Sequence, residues 1–414
     1  MKIFGYEFRR LPNKEEREIK ITPTTSVGLP YGGLAASLSS EQAMKLSAVY
    51  RCVDVRSDSI ATMPWDVMIF NRQKEWVKDP FHFSWNMLNT EPNPSMSKYD
   101  FMKTLTAQVD LNGNAYVQIV RDRFGNPTQL ILQSGIVTMY VRDDYTIYYE
   151  VIESYSNKGL YVDGEDMIHV KNFSYDGFLG VSTITHATNI TSLAESADGQ
   201  AKGYYANGAN MNGIIGVPGK ISPDNAKNLK TSFREAVSYN SSTGVGGGVI
   251  VLEGGATYTP IQINPRDAQM LETRQFNVVD ICRFFGVSPI KAFDMSSSTY
   301  ANVESYQLGY ITDTITPLAK KIENEFNRKL YRPSQRGNTR VSLDIEELMS
   351  ADLDTLSNYY MNMIQCGAYS PNEIRRKRKM PLIPDGDKSY IQVNMAPVGQ
   401  KPEPIQNKNN GQGN

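Results

Sequence analysis

The residues of this chain best suited to chemistry are a glycine run, three histidines, several acidic pairs and one block of cations. Gly244-Val-Gly-Gly-Gly248 has the composition of a phosphate cradle. A phosphate loop places Lys and Ser/Thr directly after its glycines, where a helix begins. Here Val249-Ile-Val-Leu252 follows, a strand pattern, so the run reads as a turn. His169 alternates with Ile168 and Val170, as a strand residue would, and His82 sits among Phe81, Phe83 and Trp85. Neither has a Cys or second His at ligand spacing, nor does His186, so structural histidines are expected and no metal site. The acidic pairs Asp143-Asp144, Glu165-Asp166 and Glu346-Glu347 fall at turns or element ends, where solvated carboxylates are ordinary. Gly180-Val-Ser-Thr183 lacks the second glycine of a nucleophile elbow. No catalytic residue and no cofactor are expected.

The cation block is Arg375-Arg376-Lys377-Arg378-Lys379. Read as a site, it is a basic patch that could meet phosphate. Read structurally, it is the last turn of a solvated helix, where cations complement the helix dipole. The absence of interleaved aromatic residues favours the second reading. The charge balance agrees, with 43 Lys and Arg against 44 Asp and Glu. A tight, sequence-independent nucleic-acid binder normally carries a marked basic excess. Cys52, Cys282 and Cys366 lie far apart with no Cys-x-x-Cys spacing, so assembly in a reducing cytosol is expected. No apolar run approaches the roughly 20 residues a membrane helix needs.

The elements that would position these groups follow from periodicity and turn chemistry. Residues 1–40 have none and read as an arm; 396–414, poor in apolar residues, read as a disordered tail. A helix is expected over Ser40–Met63, with Ser40 as cap. Pro64 ends it, and Trp65–Phe70 reads as a strand. Ser97–Leu111 is a second helix, closed by Asn112-Gly113. From Ala115 to Phe173 the period falls to two. Strands are expected at Tyr116–Val120, Leu130–Leu132, Ile136–Val141, Thr146–Ile152 and Met167–Phe173, an antiparallel region.

Thr183–Ala209 reads as a helix with a slim face of small residues: Ala194, Ala197 and Ala201, with Gly199 and Gly203 inside it. Each glycine costs about 1 kcal/mol relative to alanine in an isolated helix. Close packing on neighbouring helices would explain that cost. An insertion follows: strand Gly213–Val217, helix Pro223–Tyr239, and strands Val249–Glu253 and Tyr258–Ile263. Helix Arg266–Phe285 comes next, then an unpatterned loop and a long helix over Tyr300–Tyr331, which Pro317 should kink. Strand Val341–Ile345, helix Ser350–Cys366 and a short helix after Ser370-Pro371 complete the reading.

In this order the segments resemble the tailed-bacteriophage portal (head-to-tail connector) family. The likeness is carried by Ser47–Met68, Leu88–Met102, Leu111–Leu130, Asp166–Ile184, Tyr204–Ile215, Arg266–Ile290, Ser298–Ser305 and Ser370–Leu382. Thr183 and Ser288 depart from it, since the family often has proline there. The resemblance implies an α+β portal-type fold with an antiparallel β/α wing, long stem helices, a small α/β clip and a helical crown, assembled as a ring, typically dodecameric. It divides the chain into an arm (1–40), wing (41–182), stem helix (183–209), clip (210–264), stem helix (265–287), tunnel loop (288–299), wing (300–349), crown (350–395) and tail (396–414). Subunits would pack through Ala194, Ala197, Gly199, Ala201 and Gly203. Asp294, Met295, Ser296, Ser297, Ser298 and Thr299 would line the DNA channel, and Arg375 to Lys379 would form a basic crown patch.

The implied function is non-enzymatic: the channel for packaging and ejecting double-stranded DNA, and a nucleus for capsid assembly at one vertex of the virion. Implied partners are other copies of the chain, non-specific DNA, the terminase large subunit, a head-completion adaptor and the capsid or scaffold protein, with no membrane. ATP hydrolysis in this family belongs to the terminase. The stretch Phe293–Thr299 is free of Lys and Arg, with Lys291 just before it, which suits a channel in which DNA slides, because a ring multiplies every basic side chain. Two other readings remain at this point: a different ring-forming virion protein, or a soluble α/β nucleic-acid enzyme. The first would not need the helix–insertion–helix–loop order. The second would need a carboxylate cluster or a true phosphate loop.

Overall fold

Local capping chemistry sets the boundaries of the first elements in a computed structural model of the chain. It describes residues 2–3, 6–7, 18–21, 39–152, 159–206, 213–216, 222–224, 227–228, 231, 257–260, 277–293, 303–349, 353–378 and 380–390. The chain divides into two units, Met1–Ile345 and Glu346–Asn414.

The arm expected over 1–40 carries strand segments: β1 (Lys2–Ile3) pairs with β2 (Tyr6–Glu7), and β3 (Glu18–Ile21) joins a sheet formed later in the chain. The single helix expected from Ser40 is two, α1 (Ser40–Ala43) and α2 (Ser47–Thr62). Ser39, not Ser40, is the cap. Its hydroxyl accepts from the Gln42 N–H at 3.2 Å while the Gln42 side chain accepts from the Ser39 N–H at 3.0 Å, a reciprocal capping box. The break falls at Leu46, which turns extended and is buried. Met63 is extended because Pro64 disfavours the helical region in the residue before it. Strand β4 (Trp65–Phe70) then begins, paired with β5 (Trp76–Lys78).

After α3 (Trp85–Asn89), α4 (Lys98–Asn112) is capped by Ser97 and closed by Gly113, whose φ of 76° is the left-handed C-cap conformation. Strands β6 (Asn114–Arg121), β7 (Pro127–Leu132), β8 (Ile136–Arg142), β9 (Ile147–Ile152), β10 (Gly159–Asp163) and β11 (Met167–Lys171) follow. Period-two patterning identified five of these; β10 is an addition, short and hidden in turn-like composition. All pairings are antiparallel, in sheets ordered β10-β9-β8-β3 and β11-β6-β7. Alternate residues form a shared core of Tyr116, Met139, Tyr149, Val151, Val162 and Met167.

The small-residue helix is interrupted at Ala187, giving α5 (Thr183–His186) and α6 (Thr188–Ala206). In the insertion, β12 (Gly213–Gly216) pairs antiparallel with β13 (Thr257–Pro260). Residues 223–224, 227–228 and 231 of the expected helix are helical; the expected strand at 249–253 lies outside the described residues. Helix α7 covers residues 277–285 and is followed by a 3-10 turn at Pro289–Ala292.

The long helix is composite: α8 (Val303–Gly309), a π turn (Tyr310–Ile315) and α9 (Thr316–Lys329). Pro317 was expected to kink it, and the π turn lies immediately upstream. Proline lacks an N–H and crowds the carbonyl four residues back, and a wider turn makes room. The Thr316 N–H bonds to the Ile311 carbonyl, which also accepts from the Thr316 hydroxyl at 2.8 Å. Ile322 and Phe326 on α9 are fully buried, and the Phe326 ring lies 4.9 Å from that of Trp65. Strand β14 (Thr339–Leu343) pairs with β4.

In the second unit, α10 (Glu346–Met349), α11 (Leu353–Gln365) and α12 (Pro371–Lys377) are present, α12 beginning in a Ser370–Glu373 capping box. No helix among the described residues is long and apolar enough to cross a membrane.

Candidate functional site

The three histidines are held by local structure. His169 is buried; its Nε2 lies 2.8 Å from Asn114 Oδ1, its ring stacks on Tyr116, and burial holds its pKa well below the usual value. His82 Nδ1 contacts the Ser84 hydroxyl at 2.8 Å, and that hydroxyl contacts Tyr331 at 2.6 Å. His186 is exposed beside Phe173 and Tyr175. Among the described residues no group of His, Cys, Asp or Glu is placed to hold a metal. The glycine run at 244–248 lies outside them.

The small-residue helix is rooted in a close crossing of two backbones. Gly113 at the end of α4 meets Gly180 just before α5: a Cβ on Gly113 would stand 2.6 Å from the Gly180 carbonyl oxygen and 2.5 Å from the Val181 carbonyl carbon. Asn114 fixes the crossing, its Nδ2 donating to the Gly180 carbonyl and its Oδ1 accepting from the Gly180 N–H, both at 2.8 Å. Ser182 ties the helix start to α4 by donating to the Leu111 carbonyl. Further along α6, Ala194 and Ala197 are partly exposed and Gly199 is exposed. Among the described residues, a Cβ added at Gly199 would meet nothing within 4 Å. Ala201 and Gly203 lie within the helix. Between α6 and α7 is a groove of about 380 Å³ lined by Ile190, Asp280, Arg283 and Phe284.

A polar seam joins α2 to the segment 282–293, and the sequence reading did not find it. Arg56 forms a bidentate ion pair with Asp110 of α4, at 2.8 and 2.9 Å, and also donates to the Phe285 carbonyl. Asp110 is fully buried, and burial raises its pKa against the opposing pull of Arg56. The Thr314 hydroxyl in the π turn donates to the Gly286 carbonyl, and Tyr310 meets Ser59 at 3.0 Å. Arg51 donates to the Lys291 carbonyl at 3.3 Å, and its guanidinium stands 4.7 Å from the Phe293 ring. Phe293 is exposed and left-handed, with a φ of 63°, a conformation that costs a bulky residue energy. A signal for the seam exists in Asp110: a charge in line with Met102, Leu105, Thr106 and Val109 on a buried helix face demands a partner. The sequence does not say which.

The seam reaches into the first part of the tunnel loop expected over 288–299, at Lys291 and Phe293. Asp294, Met295, Ser296, Ser297, Ser298 and Thr299 lie outside the described residues. Of the expected loop, residues 288–293 are described, and Pro289–Ala292 form a 3-10 turn. Of the cation block, Arg375 donates to the Pro381 carbonyl at 2.6 Å, Arg376 pairs with Asp387 at 2.8 Å, and Lys377 pairs with Glu346 and Tyr369. Arg378 is exposed, and Lys379 is outside the described residues. Three of these cations are thus engaged in bonds within their own unit, as a structural helix end would have them.

Known proteins match this chain over most of its length. The family model described as phage portal protein matches residues 47–378. The portal protein of Enterobacteria phage HK97 is 29% identical over 392 residues, covering 91% of this chain and 88% of its own. Two solved structures share the fold. A HK97 family phage portal protein from Corynebacterium diphtheriae superposes with a TM-score of 0.56 at 17% identity, covering 77% of this chain and 99% of its own. A chain in the neck of an empty gene transfer agent particle, computed with C6 symmetry, gives 0.56 at 20% identity, covering 84% and 96%. With its mixed α/β architecture and a family match spanning most of its length, the chain belongs to the phage portal protein family.

Proposed function

We propose that copies of this chain close into a ring at one vertex of a tailed-phage capsid, and that double-stranded DNA passes through the ring during packaging and ejection. The observation that carries this reading is the family match over residues 47–378. In this assignment α5 to α7 are the stem, the β12–β13 insertion is the clip that meets the terminase large subunit and later the head-completion adaptor, and the second unit is the crown. Capsid or scaffold protein would surround the wing. The role is structural, with no reaction assigned to the chain. Electron microscopy of the purified protein, with its mass in solution, tests the reading. Closed rings with a central hole are expected, and a chain that stays monomeric even when coexpressed with scaffold and capsid protein would overturn it.

The stem surface supports a ring of closely packed helices. Among the described residues nothing lies within 4 Å of a Cβ added at Gly199, so the first carbon of a larger side chain meets none of them. Gly199→Leu should therefore stabilise the single chain by about 0.5–1 kcal/mol through helix propensity. Ring yield should fall at least about tenfold, because a misfit costing about 1–3 kcal/mol recurs at every interface. Size-exclusion chromatography with light scattering checks it, and normal rings from this variant would remove Gly199 from the subunit interface.

For the loop, the proposal is that Met295 and the small polar groups from Ser296 to Thr299 touch DNA without gripping it. Placing arginine at both Ser296 and Ser297 adds two cations per subunit around the duplex. DNA translocation should slow and become strongly salt-dependent. Packaging and DNA retention unchanged from wild type would sink this idea.

A further inference from the structure

Cys52 on α2 and Cys282 on α7 are far apart in sequence, yet their sulfurs face each other at 3.8 Å with both side chains fully buried. The backbones on either side are already held together without sulfur. Arg56 bonds to the Phe285 carbonyl, and Arg51 bonds to the Lys291 carbonyl. The two thiols therefore meet across a seam with fixed partners, and are not a chance approach of mobile side chains. A disulfide has its sulfurs about 2.05 Å apart, so bond formation needs an approach of roughly 2 Å shared between two side chains. The Cys52 thiol is pushed above its ordinary pKa, first by its hydrogen bond to Cys282 and then by burial. In a reducing cytosol the pair stays as protonated, slowly reacting thiols.

We propose that Cys52 and Cys282 are a redox-modifiable dithiol, which a small disulfide oxidant converts to an intrachain disulfide that ties α2 covalently to α7. One cysteine loses its proton, and its sulfur attacks a sulfur of the oxidant. A mixed disulfide forms and one small thiolate leaves, taking up a proton. The second cysteine loses its proton and displaces the other half of the oxidant in the same way. In sum, two protein S–H bonds and the oxidant's S–S bond break, one protein S–S bond and two small thiols form, and two electrons pass from protein to oxidant. Burial means that the reagent reaches the pair when the seam opens, so the rate of closure reports that opening. The bond would lock the end of α7, and with it the anchor of segment 286–293, onto α2.

The test uses the full-length chain with Cys366→Ser, which removes the exposed cysteine of the second unit. It is incubated with 2-hydroxyethyl disulfide just below its first thermal transition, quenched in acid, alkylated in denaturant and digested for mass spectrometry. The expected product is a linked peptide pair containing Cys52 and Cys282, reversed by a dithiol reductant. The first thermal transition should rise by several degrees, and the added variant Cys52→Ala should abolish the link. Two results would overturn the proposal. In one, both cysteines stay fully alkylatable under conditions that convert Cys366 in the unsubstituted chain. In the other, the reaction stops at mixed disulfides. Neither result depends on whether rings form, so this test and that of the portal reading fail separately.

Discussion

Arg56→Ala should lower the stability of the first unit by about 3–5 kcal/mol, since removing one partner of a buried ion pair strands the other. The stranded group is Asp110, which has no solvent exposure to fall back on. The bond to the Phe285 carbonyl goes as well, loosening α2 from segment 286–293. The pH dependence has a definite sign. Burial already raises the Asp110 pKa, and Arg56 opposes that rise. Without Arg56 the folded-state pKa climbs further above the unfolded value near 3.9. Between those two values the folded chain holds a proton that the unfolded chain has released, so stability falls as pH rises through the window. The penalty should thus be largest near pH 8 and shrink toward pH 5. Urea unfolding of wild type and variant at both pH values measures it. A loss below about 1 kcal/mol, or one that ignores pH, would mean that the pair is not the clamp described.

Gly113→Ala should cost about 2–5 kcal/mol, combining left-handed backbone strain with overpacking. The added methyl would meet the Gly180 carbonyl, the Val181 carbonyl carbon and the Ser182 N–H, all backbone that no rotamer change can move aside. Gly177→Ala is the matched control. Its φ of 78° is equally left-handed, but among the described residues its Cβ would meet nothing within 4 Å. That change should carry the strain alone, about 1–2 kcal/mol. Equal losses from both variants would show that the Gly113–Gly180 crossing is not tight. Unequal losses would locate the root of the small-residue helix at that crossing. Its displacement should reduce ring formation by the Gly113→Ala chain that remains folded.

What could be read from the sequence was local. Pro64 before an alternating run identified Trp65–Phe70, and Ser97 with Gly113 bounded α4, because caps and turns act over a few residues. Gly199 was legible as an anomaly, a glycine where a free helix has no use for one. The breaks at Leu46 and Ala187 carry no proline or glycine signal, and were read through as continuous helix. The π turn was foreseen only as a disturbance at Pro317, since its form depends on the contacts of Tyr310 with α2. The seam was legible only as one charge on a buried helix face, Asp110, with nothing in the sequence to name its partner. Arg56 and Phe285, like Cys52 and Cys282, are joined by tertiary structure that no short-range pattern records.

Strand β3 bears on the order in which the four-stranded sheet β10-β9-β8-β3 closes. Its partner β8 is paired on its other side with β9, a few residues away through a tight turn, and β10 follows soon after. Ile19 and Val141, which face each other in the register, are separated by about 120 residues, so this pairing carries a far larger loop-closure cost than the hairpin beside it. During synthesis the Glu18–Ile21 segment emerges early and waits, while β8, β9 and β10 can zip as soon as they appear. Within this sheet, the first strand made is therefore the last to dock. Until it does, β8 offers an open row of backbone donors and acceptors that any neighbouring chain's strand could occupy.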